Sequence, residues 1–244
     1  MTASSPRRRA LVIGGSRGIG AAIAQRLAAE GHDVALTHVS RPDGAEAQLD
    51  AIRAQGGRAV AFQADSSDAS ALQEAVAAAA QAFDGLDVLV INAGLYRHTP
   101  ITSVDLATLD QLLAVNVRGV VLAIQAALPH LSAGGRIITI GSNTAVRTGS
   151  PGSSLYAMSK AAVAALVREL ALELSPRGIT INNLQPGPTA TDITAGLDEV
   201  LAARVPLGRI AQPAEIASLA AWVAGPEAGY MTGSSLTIDG GFVL

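Results

Sequence analysis

Short apolar runs at residues 10–14, 33–38, 58–63, 87–92, 136–142, 180–185 and 235–239 alternate along the chain with longer amphipathic or Ala-rich stretches. The longer stretches include 20–30, 69–83, 106–131, 155–174 and 213–224. The apolar content is mainly Ala, Val, Leu and Ile, which suits parallel strands buried on both faces with Ala-rich helices packed closely against them. Strand and helix in regular alternation predict an α/β fold: a doubly wound, seven-stranded parallel sheet flanked by helices. No low-complexity linker or fixed-period repeat interrupts it, so residues 1–244 read as a single domain, with 1–9 a short N-terminal tail. Gly178, between a helix and a strand, suits a C-cap with positive φ, and Pro176 before it blocks further helix.

Hydrophobic residues make up 49% of the chain and charged ones 15%, enough for a large buried core and too little charge for disorder. The absence of cysteine excludes disulfides, zinc thiolate sites and cysteine nucleophiles, and no metal site is expected. A formal net charge of −3 without a basic stripe argues against nucleic acid as a partner. Arg7-Arg8-Arg9 before Ala10-Leu11-Val12-Ile13 has the look of a twin-arginine export signal. The apolar run stops at Gly14-Gly15, however, so a basic tail feeding a first strand is the better reading. No continuous run approaches the roughly 18 apolar residues of a membrane span, and a soluble cytoplasmic protein is expected.

The first strand leads into Gly14-Gly15-Ser16-Arg17-Gly18-Ile19-Gly20 and then a helix. Gly15, Gly18 and Gly20 give the spacing G-x-x-x-G-x-G. Such glycines permit a tight turn and close approach of backbone N–H groups to a pyrophosphate at the positive end of the helix. The same residues also spell G-x-S-x-G through Gly14, Ser16 and Gly18, the nucleophile elbow of Ser hydrolases. Position decides against that rival, because a hydrolase elbow follows several strands and this one follows the first. A triad would also need a late histidine, and His32, His38, His98 and His130 all lie in the first part of the chain.

In NAD-binding sites an acidic residue about 20 positions beyond the glycines binds the ribose 2′-hydroxyl. Here the end of the second strand reads Leu36-Thr37-His38-Val39-Ser40-Arg41, without a carboxylate. Asp33 lies at the wrong end of that strand. Arg17 in the glycine loop and Arg41 after the strand suit a 2′-phosphate, which a carboxylate would repel. The expected cofactor is therefore NADP(H), with His38, Ser40 and Arg41 at its adenosine end.

Tyr156 and Lys160 form Y-x-x-x-K within a helical stretch, which puts both on one face. The 17 basic residues are 16 arginines and one lysine, and that lysine is Lys160. A compact ammonium differs from a guanidinium in reach, shape and readiness to titrate, so its placement beside this tyrosine points to chemistry. A free tyrosine titrates near ~10. A cation at about 4 Å in an effective dielectric of ~20 contributes up to ~4 kcal/mol toward lowering it. Ser142 ends the fifth strand, where doubly wound folds place their ligands. Asn116 lies within an apolar helical stretch, where a backbone-bonded amide is as good a reading as a catalytic one.

Taken in order, these motifs resemble the short-chain dehydrogenase/reductase family from Leu11 to Gly241. The matching features are the glycine loop, Asp65, Asn92-Ala93-Gly94, Asn116, Ser142, the Tyr156–Lys160 pair, Pro186-Gly187 and Ile238-Asp239-Gly240-Gly241. The family often has Thr where Gly14 stands. The resemblance implies a Rossmann-type oxidoreductase, reducing a carbonyl to a secondary alcohol. Tyr156 would give the proton and Ser142 would bind the same oxygen. Lys160 would hold the nicotinamide ribose and lower the tyrosine pKa, and Asn116 would anchor a relay water. The cofactor would lie along Gly15, Ser16, Arg17, Gly18, Ile19 and Gly20. It would also meet Asp65 at the adenine, Ser66 next to it in the chain, Asn92, Ala93 and Gly94 beside the ribose, and Pro186-Gly187 over the nicotinamide, with Thr189 and Thr191 near its carboxamide or phosphates. Asp239 is read as structural.

A small-molecule ketone or a 3-oxoacyl thioester of the carrier-protein type would fit equally well, with Tyr96, Asn143, Thr144, Arg147 and Met158 as candidate walls and Arg97 and Arg147 as rim arginines. A nucleotide-binding regulatory protein on the same fold is the other class of function. Family members commonly pair through the helices at 106–131 and 155–174 and the last strand, so a homotetramer is expected.

Overall fold

The computed structural model describes residues 7–40, 42–147 and 150–244. Its strands are β1 (Arg9–Ile13), β2 (Asp33–His38), β3 (Ala59–Gln63), β4 (Leu86–Ile91), β5 (Leu131–Ile140), β6 (Thr180–Pro186) and β7 (Ser235–Ile238). They form one sheet in the order β3-β2-β1-β4-β5-β6-β7, every pairing parallel. The expected doubly wound sheet is what the chain forms. Strand order runs outward one way from β1 and the other way from β4, leaving a crevice beyond the carboxyl ends of these two strands.

Helices cover both faces. On one lie α1 (Gly18–Ala29), α2 (Pro42–Arg53) and α8 (Pro213–Ala224), and on the other α3 (Ala69–Phe83), α5 (Gly119–Ala127) and α6 (Ser154–Leu174). The shorter α4 (Leu106–Leu113) precedes α5, and α7 (Asp198–Ala202) lies between β6 and α8. Successive strand residues point to opposite faces. Leu11 and Ile13 of β1 therefore join Val76, Ile124 and Val167, whereas Ala10 and Val12 join Leu27, Leu49 and Ala220. Both sides of the strand are buried, which explains its lack of polar alternation.

Several elements depart from the sequence reading. Helix α2 adds an element outside the stretches marked above, carried by a narrow stripe of Ala45, Leu49 and Ile52 on an otherwise polar helix. The helix expected over 106–131 is divided: α4 passes into a π-helical turn at Ala114–Arg118, then α5, and Leu131 already belongs to β5. The turn accommodates close packing, since a Cβ on Gly119 would lie 2.6 Å from the Ser66 carbonyl oxygen. The continuous helical run Leu106–Ala127 is, among the described residues, the one long and apolar enough to cross a membrane. Here it flanks the sheet, with Leu112, Val120, Ala123, Ile124 and Ala127 buried.

The arginines expected in a loose tail are anchored, and Arg9 is the first residue of β1. Arg7 pairs with Asp33 at 3.0 Å, Arg8 donates to the Ala224 carbonyl at 2.6 Å, and Arg9 pairs with Asp87 at 2.8 Å. Burial pushes the Asp87 carboxyl up, but the Arg9 side chain and backbone N–H outweigh it and hold the group at about 2.

Candidate active site

The carboxyl ends of the central strands open into a cleft of about 790 Å³. Its floor at one end is the glycine loop. Gly14 takes φ +77° and Gly18 φ +54°, the left-handed region that side chains disfavour. Gly20 is required for a different reason: a Cβ there would lie 2.1 Å from the Gly14 carbonyl oxygen. The loop is held from two sides, with the Gly14 N–H donating to Thr37 Oγ1 at 2.9 Å and Asn92 Nδ2 donating to the Gly14 carbonyl at 2.8 Å. Helix α1 begins at Gly18 with neither a side-chain cap nor an acid in its first turn. Its first N–H groups and positive dipole end suit a phosphate.

At the end of β2, His38 and Ser40 line the cleft without a carboxylate among them, and the His38 Nδ1 is buried with no partner among the described residues. Asp33, at the other end of the strand, is locked by Arg7 and by Arg58 at 2.7 Å. Arg17 also lines the cleft, where its guanidinium pairs with Asp192 at 2.8 Å across the mouth. Arg41, assigned from sequence to the 2′-phosphate, lies outside the described residues.

Further along, Asp65 lines the cleft and caps its own turn, accepting from the Ser67 N–H and hydroxyl at 2.8 Å each. Ser66 is buried in the wall. Gly94 passes so close to Lys160 that a Cβ would lie 3.3 Å from its Nζ. Gly187 presses on the chain just after β7, where a Cβ would lie 2.5 Å from that of Asp239. Thr189 is buried and donates to the Gly187 carbonyl at 3.0 Å, whereas Thr191 faces Gly18.

Ser142, Tyr156 and Lys160 converge at the middle of the cleft. Burial pushes the Tyr156 hydroxyl up to about 12, the Ser142 hydroxyl bonded to it acts the other way, and Tyr96 adds to the rise. This reverses the expected lowering by Lys160. The lysine Nζ instead donates to the Ile140 carbonyl at 2.8 Å and lies 5.7 Å from the centre of the Tyr156 ring. Burial pulls Lys160 down to about 8. Asn116, 1% exposed, has its amide fully engaged. Its Oδ1 accepts from the Leu95 N–H at 2.7 Å, and its Nδ2 donates to the Leu95 carbonyl at 2.9 Å and to Ser159 Oγ at 3.0 Å.

Of the candidate walls, Tyr96, Asn143 and Thr144 line the cleft. Arg147 and Met158 do not: Arg147 reaches the Leu244 carbonyl at 3.2 Å, and Met158 faces outward from α6. Leu197, Leu201, Arg204 and Phe242 line the cleft and carry no sequence motif. The Arg204 guanidinium lies over the Phe242 ring at 4.7 Å and donates to Ser150 at 3.0 Å. Asp239 accepts from the Gly241 and Val243 N–H groups and from Asn143 Nδ2, a structural role that fastens the tail to the cleft.

The family profile described as enoyl-(acyl carrier protein) reductase matches residues 13–243. A short-chain dehydrogenase from Burkholderia cenocepacia J2315, solved in complex with NADP, is 47% identical with a TM-score of 0.95, covering 97% of this chain and 98% of that one. An uncharacterized oxidoreductase of Methylorubrum extorquens is 42% identical over 239 residues, 95% of this chain and 96% of the relative. The cyclic-di-GMP-binding biofilm dispersal mediator protein of Escherichia coli is 37% identical over 235 residues, 95% of both chains.

Proposed function

The chain belongs to the short-chain dehydrogenase/reductase family, and from that premise we propose that it is an NADP(H)-dependent oxidoreductase interconverting a carbonyl and a secondary alcohol. The convergence of Tyr156, Ser142 and Lys160 in one cleft carries the reading. A hydrolase would need a histidine there, and none of the histidines reaches Ser16 or Ser142 by a hydrogen bond among the described residues.

When bound, the nicotinamide supplies or accepts the hydride. The residues present fit an NADP-type group: the acid-free start of α1 suits the pyrophosphate, and the absence of a carboxylate at the end of β2, with a His38 Nδ1 that has no partner among the described residues, favours a phosphorylated ribose. Tyr156, protonated throughout the neutral range, is the proton donor to the carbonyl oxygen during reduction. Ser142 holds the same oxygen, and Lys160 offers its ammonium to the nicotinamide ribose. Asn116, with its amide spent on Leu95 and Ser159, fixes backbone and leaves any relay water to backbone oxygen. The cleft is lined by Tyr96, Val115, Ile193, Leu197, Leu201 and Phe242, which suits a ketone with an apolar substituent, and also by Arg97 and Arg204. The assembly we propose is a homotetramer, with the exposed Val121 on α5 and Leu172 on α6 in its interfaces.

A second reading, nucleotide-binding regulation, is favoured by the name of the Escherichia coli relative. Adding a panel of ketones and 3-oxoacyl thioesters to enzyme and NADPH separates the two. Loss of NADPH absorbance with a ketone supports the oxidoreductase. Inertness to the whole panel, with cyclic-di-GMP bound tightly, overturns it.

A further inference from the structure

The Tyr96 ring meets the Tyr156 ring edge-on, with centroids 5.0 Å apart and planes at 88°. Perpendicular packing sets the positive edge of one ring against the negative face of the other and so favours a defined tilt. The backbone beside each ring is held by one buried amide. Asn116 bonds both polar groups of Leu95, the residue before Tyr96. It also donates to Ser159 Oγ, which in turn donates to the Tyr156 carbonyl at 2.7 Å. Ser159 is fully buried. The separation of the two tyrosines is therefore specified by a chain of hydrogen bonds running Leu95, Asn116, Ser159, Tyr156.

We propose that Tyr96 is a positioning residue for the reaction, its ring fixing the tilt of the Tyr156 phenol so that the hydroxyl meets the carbonyl oxygen. The proposal rests on the oxidoreductase reading above. Proton transfer needs a heavy-atom separation of roughly 2.6–3.2 Å. A phenol free to swing about its side-chain torsions spends little time within that range, and a misplacement of about 1 Å can cost on the order of a hundredfold in rate. The polar and charged groups facing the phenol are Ser142 and Lys160, along with Tyr96 itself. Ser142 bonds the hydroxyl and the Lys160 ammonium lies over the ring at 5.7 Å, while Tyr96 supplies the aromatic contact. Asn116 and Ser159 act one step further out, by keeping the two backbones in register.

The test compares Tyr96→Phe, which keeps the ring, with Tyr96→Leu, which does not, each combined with Tyr230→Phe. The chain has three tyrosines, so Tyr156 is then the sole one in both proteins. Tyrosinate absorbance reports its ionisation without any need for activity. The Phe variant should lose only the Tyr96 hydroxyl's part of the rise and keep that ionisation above the ordinary 10.0, and the Leu variant should lower it further as water reaches the phenol. With acetophenone and NADPH, the Phe variant should stay close to wild type. The Leu variant should lose about tenfold in kcat with little change in KM. A change confined to KM would make Tyr96 a mere wall, and identical titrations with equal kcat would remove the proposal outright. If the wild type oxidises no NADPH, the oxidoreductase reading for this ketone fails, and identical Tyr156 titrations in the two variants would still remove the contact on which the role of Tyr96 rests.

Discussion

The Lys160 ammonium donates to the Ile140 carbonyl at 2.8 Å, two residues before Ser142 on the same strand end. The chain's single lysine is thereby buried on a backbone oxygen, and burial brings it down to about 8 from 10.5. Below about 8 the cost of burying the charge is fully present. Between about 8 and 10.5 the unfolded chain holds a proton that the folded one has released, so stability from this group rises with pH. Lys160→Met should therefore stabilise the cofactor-free protein at pH 7, by at most ~3 kcal/mol. The gain should vanish near pH 10, as read by urea unfolding at both values. Binding should show the opposite face of the same titration. The NADPH dissociation constant of the wild type is expected to rise as pH climbs through about 8, which isothermal titration would reveal.

Removing the proton donor is the most direct chemical test. Tyr156→Phe keeps the ring and its contact with Tyr96, so NADPH should bind normally. Single-turnover NADPH oxidation should fall by ~10²–10⁴. Lys160→Arg should be nearly as damaging despite retaining the charge, because a longer planar guanidinium cannot take the place of the compact buried ammonium on the Ile140 carbonyl. Near-normal hydride transfer in Tyr156→Phe would defeat the mechanism.

Cofactor choice turns on Arg17. Its pair with Asp192 has both side chains more than half exposed, and such pairs contribute little, so a 2′-phosphate can compete for the guanidinium. NADPH is expected to bind at least about tenfold tighter than NADH, roughly one charge-assisted contact. Arg17→Ala should narrow that ratio and Asp192→Asn should widen it. Equal wild-type dissociation constants for the two cofactors would refute the assignment.

Acid stability has its own marker. Asp87 is held at about 2 against an ordinary 3.8, so its contribution is fully present above about 3.8 and is lost as pH falls through about 2. Asp87→Asn should cost ~2 kcal/mol at pH 7 and almost nothing at pH 2. Urea midpoints measured along the pH series would show whether the two curves converge.

Assembly is tested by size. Leu172 on α6 is 74% exposed and Val121 on α5 41% exposed, apolar area that a solvated helix does not require. Light scattering is expected to give about four times the 24.6 kDa of one chain. A monomer at micromolar concentration would rule the tetramer out, and Leu172→Glu should shift the assembly toward smaller species.

Much of this architecture was legible because it is periodic or local. Buried strands such as β1 announce themselves by unbroken apolar runs, and the glycine loop by a spacing that backbone geometry enforces. Helix α2 was harder to see, since three apolar residues on a polar helix make a faint stripe. The π-helical turn at Ala114–Arg118 leaves no periodic mark in the sequence, and the Ser66 carbonyl packed against Gly119 beside it is distant in the chain. At the site, Ser142, Tyr156 and Lys160 stand out by residue type and spacing, yet the upward tyrosine shift of the cofactor-free chain does not. Pair geometry alone omitted the burial that governs it. Phe242 and Leu201 carry no motif, for they reach the cleft only by tertiary packing. Met158, two residues after Tyr156 and so on the opposite side of α6 from the cleft, shows how little proximity to Tyr156 in sequence guarantees.

The cleft is unevenly open to genetic drift. Around the reacting groups the packing tolerates nothing larger: a Cβ on Gly141, between Ile140 and Ser142, would lie 2.5 Å from Asn183 Oδ1. The opposite wall comes from α7 and from the tail fastened by Asp239, outside the sheet and its two cores. Replacements at Leu197, Leu201 or Phe242 can reshape the entrance at small cost in stability. A lineage carrying this scaffold is thus free to acquire new substrates by changing its wall residues while its chemistry stays frozen. A saturation library confined to those three positions would sample that freedom directly.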